Sequence, residues 1–309
     1  MRGRPIVLTW AGVVLISFSG LFVRLAGVEP LRSAFLRCAY ALPVFALLLF
    51  ASRRRAAGAL RTALMPLAAV AGGLLGADLV VWHQSIDHIG AGLATVLPNL
   101  QVVLVGLVGV LFFGERPRPL FWAALPVVLA GVWMLGATGE GVAPGKSVVA
   151  GVIFGLLTAV FYTGYIVLLR VARLRRPGAG AIETMASATA GAAAITFAAA
   201  ALRGVASPPA ALLPNLWLLA LALGSQVAGW LLLAASIHRL PAALTGVALL
   251  LQPLLALLWG RVLLDEPIGW VQAAGAGVLL TGVGLAHRAA TEVDVRPVRR
   301  RRTGARPIP

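Results

Sequence analysis

Charge is scarce in this chain. Only 12% of its 309 residues are charged and ten of those are acidic, while 60% are hydrophobic and the mean hydropathy is +0.94. A water-soluble domain carries about a quarter charged residues, so this composition excludes a soluble globule and makes lipid the solvent. Cysteine is almost missing as well. The one present, Cys38, lies in an apolar stretch, which excludes an internal disulfide and a cysteine-based metal site. The four histidines, His83, His88, His238 and His287, lack metal-ligand spacing; His83 and His88 fall near one interface with Asp87 as a loose zinc-like group. Gly145-Lys146-Ser147 imitates the end of a phosphate loop, but the glycine required five residues earlier is Glu140. No Ser-His-Asp or paired-carboxylate set falls at one depth, so neither an enzyme nor a metal or other cofactor is expected.

What charge there is falls unevenly. The net +16 comes from arginine clusters between apolar stretches rather than from one basic face, so a nucleic-acid partner is not expected. A span needs about 20 mostly apolar residues to cross about 30 Å of hydrocarbon. Ten segments answer this: 6–27, 31–51, 62–84, 89–113, 119–137, 147–169, 181–202, 212–237, 241–264 and 268–287. The first begins like a signal peptide, but Ser17, Ser19 and Arg24 interrupt its apolar run, and it reads as an uncleaved helix. If the N-terminus is cytoplasmic, 20 of the 26 basic residues fall on the inside. The positive-inside rule then predicts a multi-pass plasma-membrane protein with both termini in the cytoplasm. The last stretch, 288–309, reads as a disordered basic tail attracted to anionic lipid.

Sliding the sequence against itself by 151 residues aligns 85–135 with 236–286, with 16 identities in 51 positions. The informative matches are Ser85 with Ser236, Gln101 with Gln252, Gly109 with Gly260, Glu115 with Glu266 and Gly131 with Gly282. Five spans per half is an odd number, so equivalent helices run in opposite directions, as in alternating-access transporters with a binding site at the repeat interface. The expected fold is therefore all-α and integral to the membrane, with ten transmembrane helices in two inverted five-helix repeats, 1–137 and 147–287.

Three stretches carry a family resemblance: Glu29-Pro30 leading to Phe35-Leu36-Arg37, Phe113-Gly114-Glu115-Arg116, and Leu264-Asp265-Glu266-Pro267. In these the chain resembles the EamA-type members of the drug/metabolite transporter superfamily, over residues 1–287. The resemblance implies ten helices in two halves, and proton-linked or facilitated transport, often export, of small metabolites, amino acids or drugs. It names no substrate. The second half departs from the pattern, since its second span has no obvious counterpart of Arg37.

Polar residues at mid-membrane are expensive, and each is a candidate for function. Gln101 and Gln252 lie near the centres of the fourth and ninth spans, with Pro98 and Pro253 close by, so both helices lose a backbone hydrogen bond there. Two readings compete: the glutamines bind substrate, or they bond freed carbonyls and neighbouring helices as packing glue. Asn99, Ser17, Ser19, Thr158, Tyr162, Gln226 and Trp230 lie at similar depth and would suit a small polar or zwitterionic ligand. Arg37 and Asp78 sit at matching depth near the outer ends of their spans, and Arg24 is close enough to join them. They form either a structural ion pair or a site in which Asp78 is a protonatable coupling carboxylate. Trp10, Trp82, Trp122, Trp133, Trp217 and Trp270 lie near span ends and are expected in the interfacial belt. Gly72-x-x-x-Gly76 and Gly151-x-x-x-Gly155 read as helix-contact faces. The function expected is secondary transport of a small molecule. Its rival, an integral-membrane enzyme or lipid-handling protein, requires charges clustered at one interface.

Overall fold

The computed structural model describes residues 3–55, 65–136, 146–264 and 269–291, and every element among them is helical. The stretches around Arg61, Glu140 and Glu266 and residues 292–309 lie outside the described residues. Seven helical segments are long and apolar enough to cross a membrane, and three shorter apolar ones, Leu97–Phe113, Pro119–Met134 and Trp270–Ala286, accompany them.

Helices α1 (Gly3–Ser17) and α2 (Ser19–Ala26) are separated by a one-residue turn at Phe18, and α2 stops on Gly27 at φ 59°. Helix α3 (Pro30–Arg55) opens with proline in its first turn, and the Glu29 carboxylate accepts the Arg32 N–H at 2.8 Å. Helix α4 (Pro66–Val96) is longer than expected. The expected spans 62–84 and 89–113 leave a break at 85–88. The helix instead runs on to Val96, and the chain breaks at a 3₁₀ turn, Leu97–Leu100, before α5 (Gln101–Phe113). Polar side chains do not end a helix; Pro98 does, by lacking an N–H. The polarity at Ser85 serves packing, its hydroxyl donating to the Gly151 carbonyl at 2.9 Å.

Helix α6 (Pro119–Gly136) is followed by α7 (Val148–Arg175), whose N-cap Ser147 accepts the Ala150 N–H at 3.2 Å. After α8 (Ala181–Leu202), one continuous helical rod contains α9 (Leu212–Ala220), a π-helical stretch Leu221–Gly229 and α10 (Trp230–Ser236). A 3₁₀ turn leads to α11 (Ala242–Leu249) and, after a break at Leu250, to α12 (Leu251–Leu264); α13 (Trp270–Thr291) closes the described chain.

Glycine decides how closely these helices approach. A Cβ on Gly72 would overlap the Ala188 carbonyl, and one on Gly191 the Ala69 carbonyl, so α4 and α8 pack backbone to backbone. Gly76 faces Ala192 and Ile195 of α8, and Gly155 faces Leu97 and Ser85. The contact of α6 with α13 is reciprocal: a Cβ on Gly131 would lie 2.5 Å from Leu279 N, and one on Gly282 would lie 2.9 Å from Val128 N. Under the 151-residue offset, Gly131 corresponds to Gly282 and Val128 to Leu279.

Candidate functional site

Where the two interrupted helices meet the rest of the bundle, they line a cavity of about 310 Å³, a volume suited to a small ligand. The break before α5 contributes Pro98, Asn99 and Gln101, and the break between α11 and α12 contributes Leu249, Gln252 and Pro253. Ser17 and Ser19 enter from α1 and α2, Arg37 from α3, Thr158 and Tyr162 from α7, and Trp230 from α10. Helix α4 supplies Leu75, Asp78, Leu79 and Trp82, a spacing that puts them on one face.

Ten of the expected site residues thus share one cavity, whereas Gln226 and Arg24 lie outside its lining. Gln226 is fully buried in the π-helical stretch behind Arg37. Its amide oxygen accepts the Arg37 Nε–H at 3.2 Å, and its own N–H donates to Thr189 Oγ1 at 3.1 Å. Arg24 is exposed near the end of α2. The direct Arg37–Asp78 ion pair expected from the sequence is not formed. Both groups are 8% exposed and face the same cavity, but Arg37 is drawn toward Gln226. Among the described residues, Asp78 makes no ion pair within 4.0 Å. Trp82, expected in the interfacial belt, lines the cavity, because α4 continues for 14 residues beyond it to Val96.

The hydroxyls fall into two groups. Ser17 donates to the Val14 carbonyl at 2.6 Å and accepts from Trp259 Nε1 at 2.8 Å, and Thr158 donates to the Phe154 carbonyl at 3.0 Å. Gln252 Nε2 donates to the Tyr162 hydroxyl at 3.4 Å. Ser19 Oγ and Gln101 Oε1, by contrast, are buried with no hydrogen-bond partner among the described residues. Behind Tyr162 the wall is sealed by Tyr165 against Trp230, ring centroids 4.8 Å apart and nearly perpendicular, with Leu169, Leu233 and Ile237 fully buried around them.

The family model of the EamA-like transporter family matches residues 4–137 and again 149–287. The chain belongs to the EamA-like transporter family. It is therefore a multi-pass membrane protein and a transporter of the drug/metabolite type. It is 36% identical over 62 residues to the probable 4-amino-4-deoxy-L-arabinose-phosphoundecaprenol flippase subunit ArnE of Pseudomonas savastanoi pv. phaseolicola. That match covers 20% of this chain, which spans about half, 54%, of the length of that curated relative. In fold, it is similar to a solved crystal structure at a TM-score of 0.76, covering 94% of this chain and 99% of that one at 21% identity.

This EamA-type chain carries a second polar cluster, at a position that stands out in the sequence through the internal repeat and a family motif but not as a candidate site. Glu115, 2% exposed, accepts from Arg170 Nη1 at 2.6 Å, from the Ala242 N–H at 2.9 Å and from the Ala243 N–H at 3.5 Å. Its carboxylate thus joins the end of α5 to α7 and to the N-terminus of α11, where unpaired N–H groups and the helix dipole favour an anion. Gly114 turns the chain at φ 64°, Gly109 leaves room for the carboxylate, and Phe113 lies 4.3 Å beneath the Arg170 guanidinium. Thr158 in the cavity and Arg170 in this clasp are roughly 18 Å apart along α7 at about 1.5 Å per residue.

Proposed function

We propose that this EamA-family chain is a secondary transporter that moves small metabolites, amino acids or drugs out of the cell by alternating access. It works from ten spans in two inverted five-helix repeats, residues 1–137 and 147–287, in the plasma membrane with both termini cytoplasmic. The observation that carries this reading is the meeting of two broken helices, at Leu97–Leu100 and at Leu250, around one polar cavity lined by Gln101 and Gln252. The reciprocal contact of α6 with α13 supports it, because a pseudo-twofold axis between inverted halves makes equivalent residues meet each other's equivalents. Along α7 the cavity residue Thr158 and the clasp residue Arg170 are separated by the fully buried Tyr165 and Leu169. In this reading the clasp holds the cytoplasmic side closed, and Asp78 is the carboxyl that binds and releases the coupling proton.

The test is counterflow of labelled amino acids and cationic drugs in proteoliposomes, comparing the native chain with a variant carrying both Gln101→Ala and Gln252→Ala. Accumulation by the native chain and loss of about tenfold or more in the variant, with normal insertion, is the expected result, since each glutamine hydrogen bond is worth a few-fold. Full flux in the double variant would refute the site. A lipid-handling role is the second reading, favoured by the likeness to a flippase subunit. It predicts movement of a lipid-linked sugar, with no counterflow of soluble solutes.

A further inference from the structure

We infer that the cavity recognises a primary ammonium group on its substrate, held by Asp78, Gln101 and Ser19. This rests on the transporter reading and names the chemistry of its site. Several polar groups of the cavity are already satisfied within the protein. Ser17 and Thr158 spend their hydroxyl protons on backbone carbonyls, Gln252 is bonded to Tyr162, and Arg37 is anchored through Nε to Gln226, itself held by Thr189. Arg37 commits only its Nε–H, and among the groups that remain open are three acceptors. Gln101 is 2% exposed with its Oε1 unpaired, and Ser19 Oγ is unpaired as well, among the described residues. The Asp78 carboxylate, buried and facing the cavity, likewise has no hydrogen bond or ion pair within 4.0 Å among them.

Buried polar groups in native proteins are almost always satisfied, so three open acceptors in one cavity call for a ligand that supplies donors. They come from three separate elements, α4, α5 and α2, and meet only through the tertiary fold. A primary ammonium carries three N–H donors and no acceptor, which matches three acceptors. A hydroxyl supplies one donor and a carboxylate none. The rings of Tyr162, Trp230 and Trp82 form the rest of the wall, and aromatic faces attract a desolvated cation. The charge of Arg37 balances that of Asp78 without occupying its lone pairs, leaving them for the incoming N–H groups.

The test uses three probes with one aromatic body and different heads: phenethylamine, phenethyl alcohol and phenylacetate. Each is titrated against the full chain in lipid nanodiscs, and affinity is read from the rise in melting temperature, since a ligand that binds only the folded state stabilises it. Phenethylamine is expected to bind on the order of tenfold more tightly than the alcohol, the worth of a charge-assisted hydrogen bond, and phenylacetate most weakly. Asp78→Asn is expected to erase the preference for the amine over the alcohol, and Gln101→Met to reduce amine affinity a few-fold. Equal binding of the three, tightest binding of phenylacetate, or no binding of the amine at millimolar concentration overturns the assignment. The head series needs only the native chain, so a poorly folding variant does not remove the test. Counterflow of labelled phenethylamine is measured in parallel. Flux without head preference overturns the ammonium site and leaves the transporter standing; head-selective binding without flux does the reverse.

Discussion

Asp78 shows how far a single residue can be understood from its position in the chain. It is the one carboxylate well inside a predicted span, and that depth, against an apolar background, is enough to single it out in the sequence. Its surroundings are not readable in the same way. Arg37 lies at matching depth on the neighbouring predicted span, but its Nε–H donates to Gln226, 189 positions away, because the π-helical stretch turns that amide toward α3. A residue with these neighbours has a testable role in coupling. Asp78→Asn keeps the side-chain shape and removes the titrating group, so an imposed pH gradient is expected to stop driving uptake into proteoliposomes while the folded yield stays near that of the native chain. A sharp fall in folded protein would instead mark Asp78 as a structural counter-charge for Arg37, since losing one partner of a buried pair costs about 3 to 5 kcal/mol. Retained pH-driven uptake in a well-folded variant would remove Asp78 from coupling altogether.

At the scale of elements, the informative features are breaks and close approaches. Pro98 and the turn at Leu250 interrupt α5 and α11–α12 at the level of Gln101 and Gln252, and the prolines announce this in the sequence. The clasp is less legible there, because a capping contact between Glu115 and the start of α11 spans 127 positions and depends on where two helices end. Glu115→Ala leaves Arg170 and the first turn of α11 without their anion. It is expected to lower stability by about 3 to 5 kcal/mol, seen as a large drop in melting temperature. The Arg170→Met change should add little on top of it, because both act on one interaction; additive losses would mean the two do not communicate. Helix approach gives a sharper contrast. Gly72→Leu drives a side chain into the Ala188 carbonyl and is expected to abolish folded yield, whereas Gly277→Ala meets nothing within 4 Å and should be neutral. Wild-type yield from Gly72→Leu would show that α4 and α8 do not pack as the structure has them.

For the whole molecule, the arginine distribution makes a topological claim that labelling can check. On a background without Cys38, which is fully buried, a cysteine at position 175 is expected to react only after the membrane is permeabilised, and one at 146 from outside intact cells. External labelling of position 175 would overturn the inverted arrangement of the halves. Much of this level is present in the sequence, because lipid as solvent imposes it: every span must be long, apolar and internally hydrogen-bonded, so span-like segments, loop charges and a 151-residue internal repeat stand out in one dimension. The same uniformity hides the rest. In a chain that is apolar on every helix face, hydrophobic periodicity cannot say which face meets which helix, and a polar residue looks the same whether it lines a cavity or supports one that does. The sequence by itself therefore determined the membrane class, the family and the depth of Gln101, Gln252, Arg37 and Asp78. The tertiary structure alone decided that Gln226 holds Arg37, that Trp82 lines the cavity rather than the interface, and that Glu115 reaches the start of α11, because each depends on contacts between residues far apart in the chain.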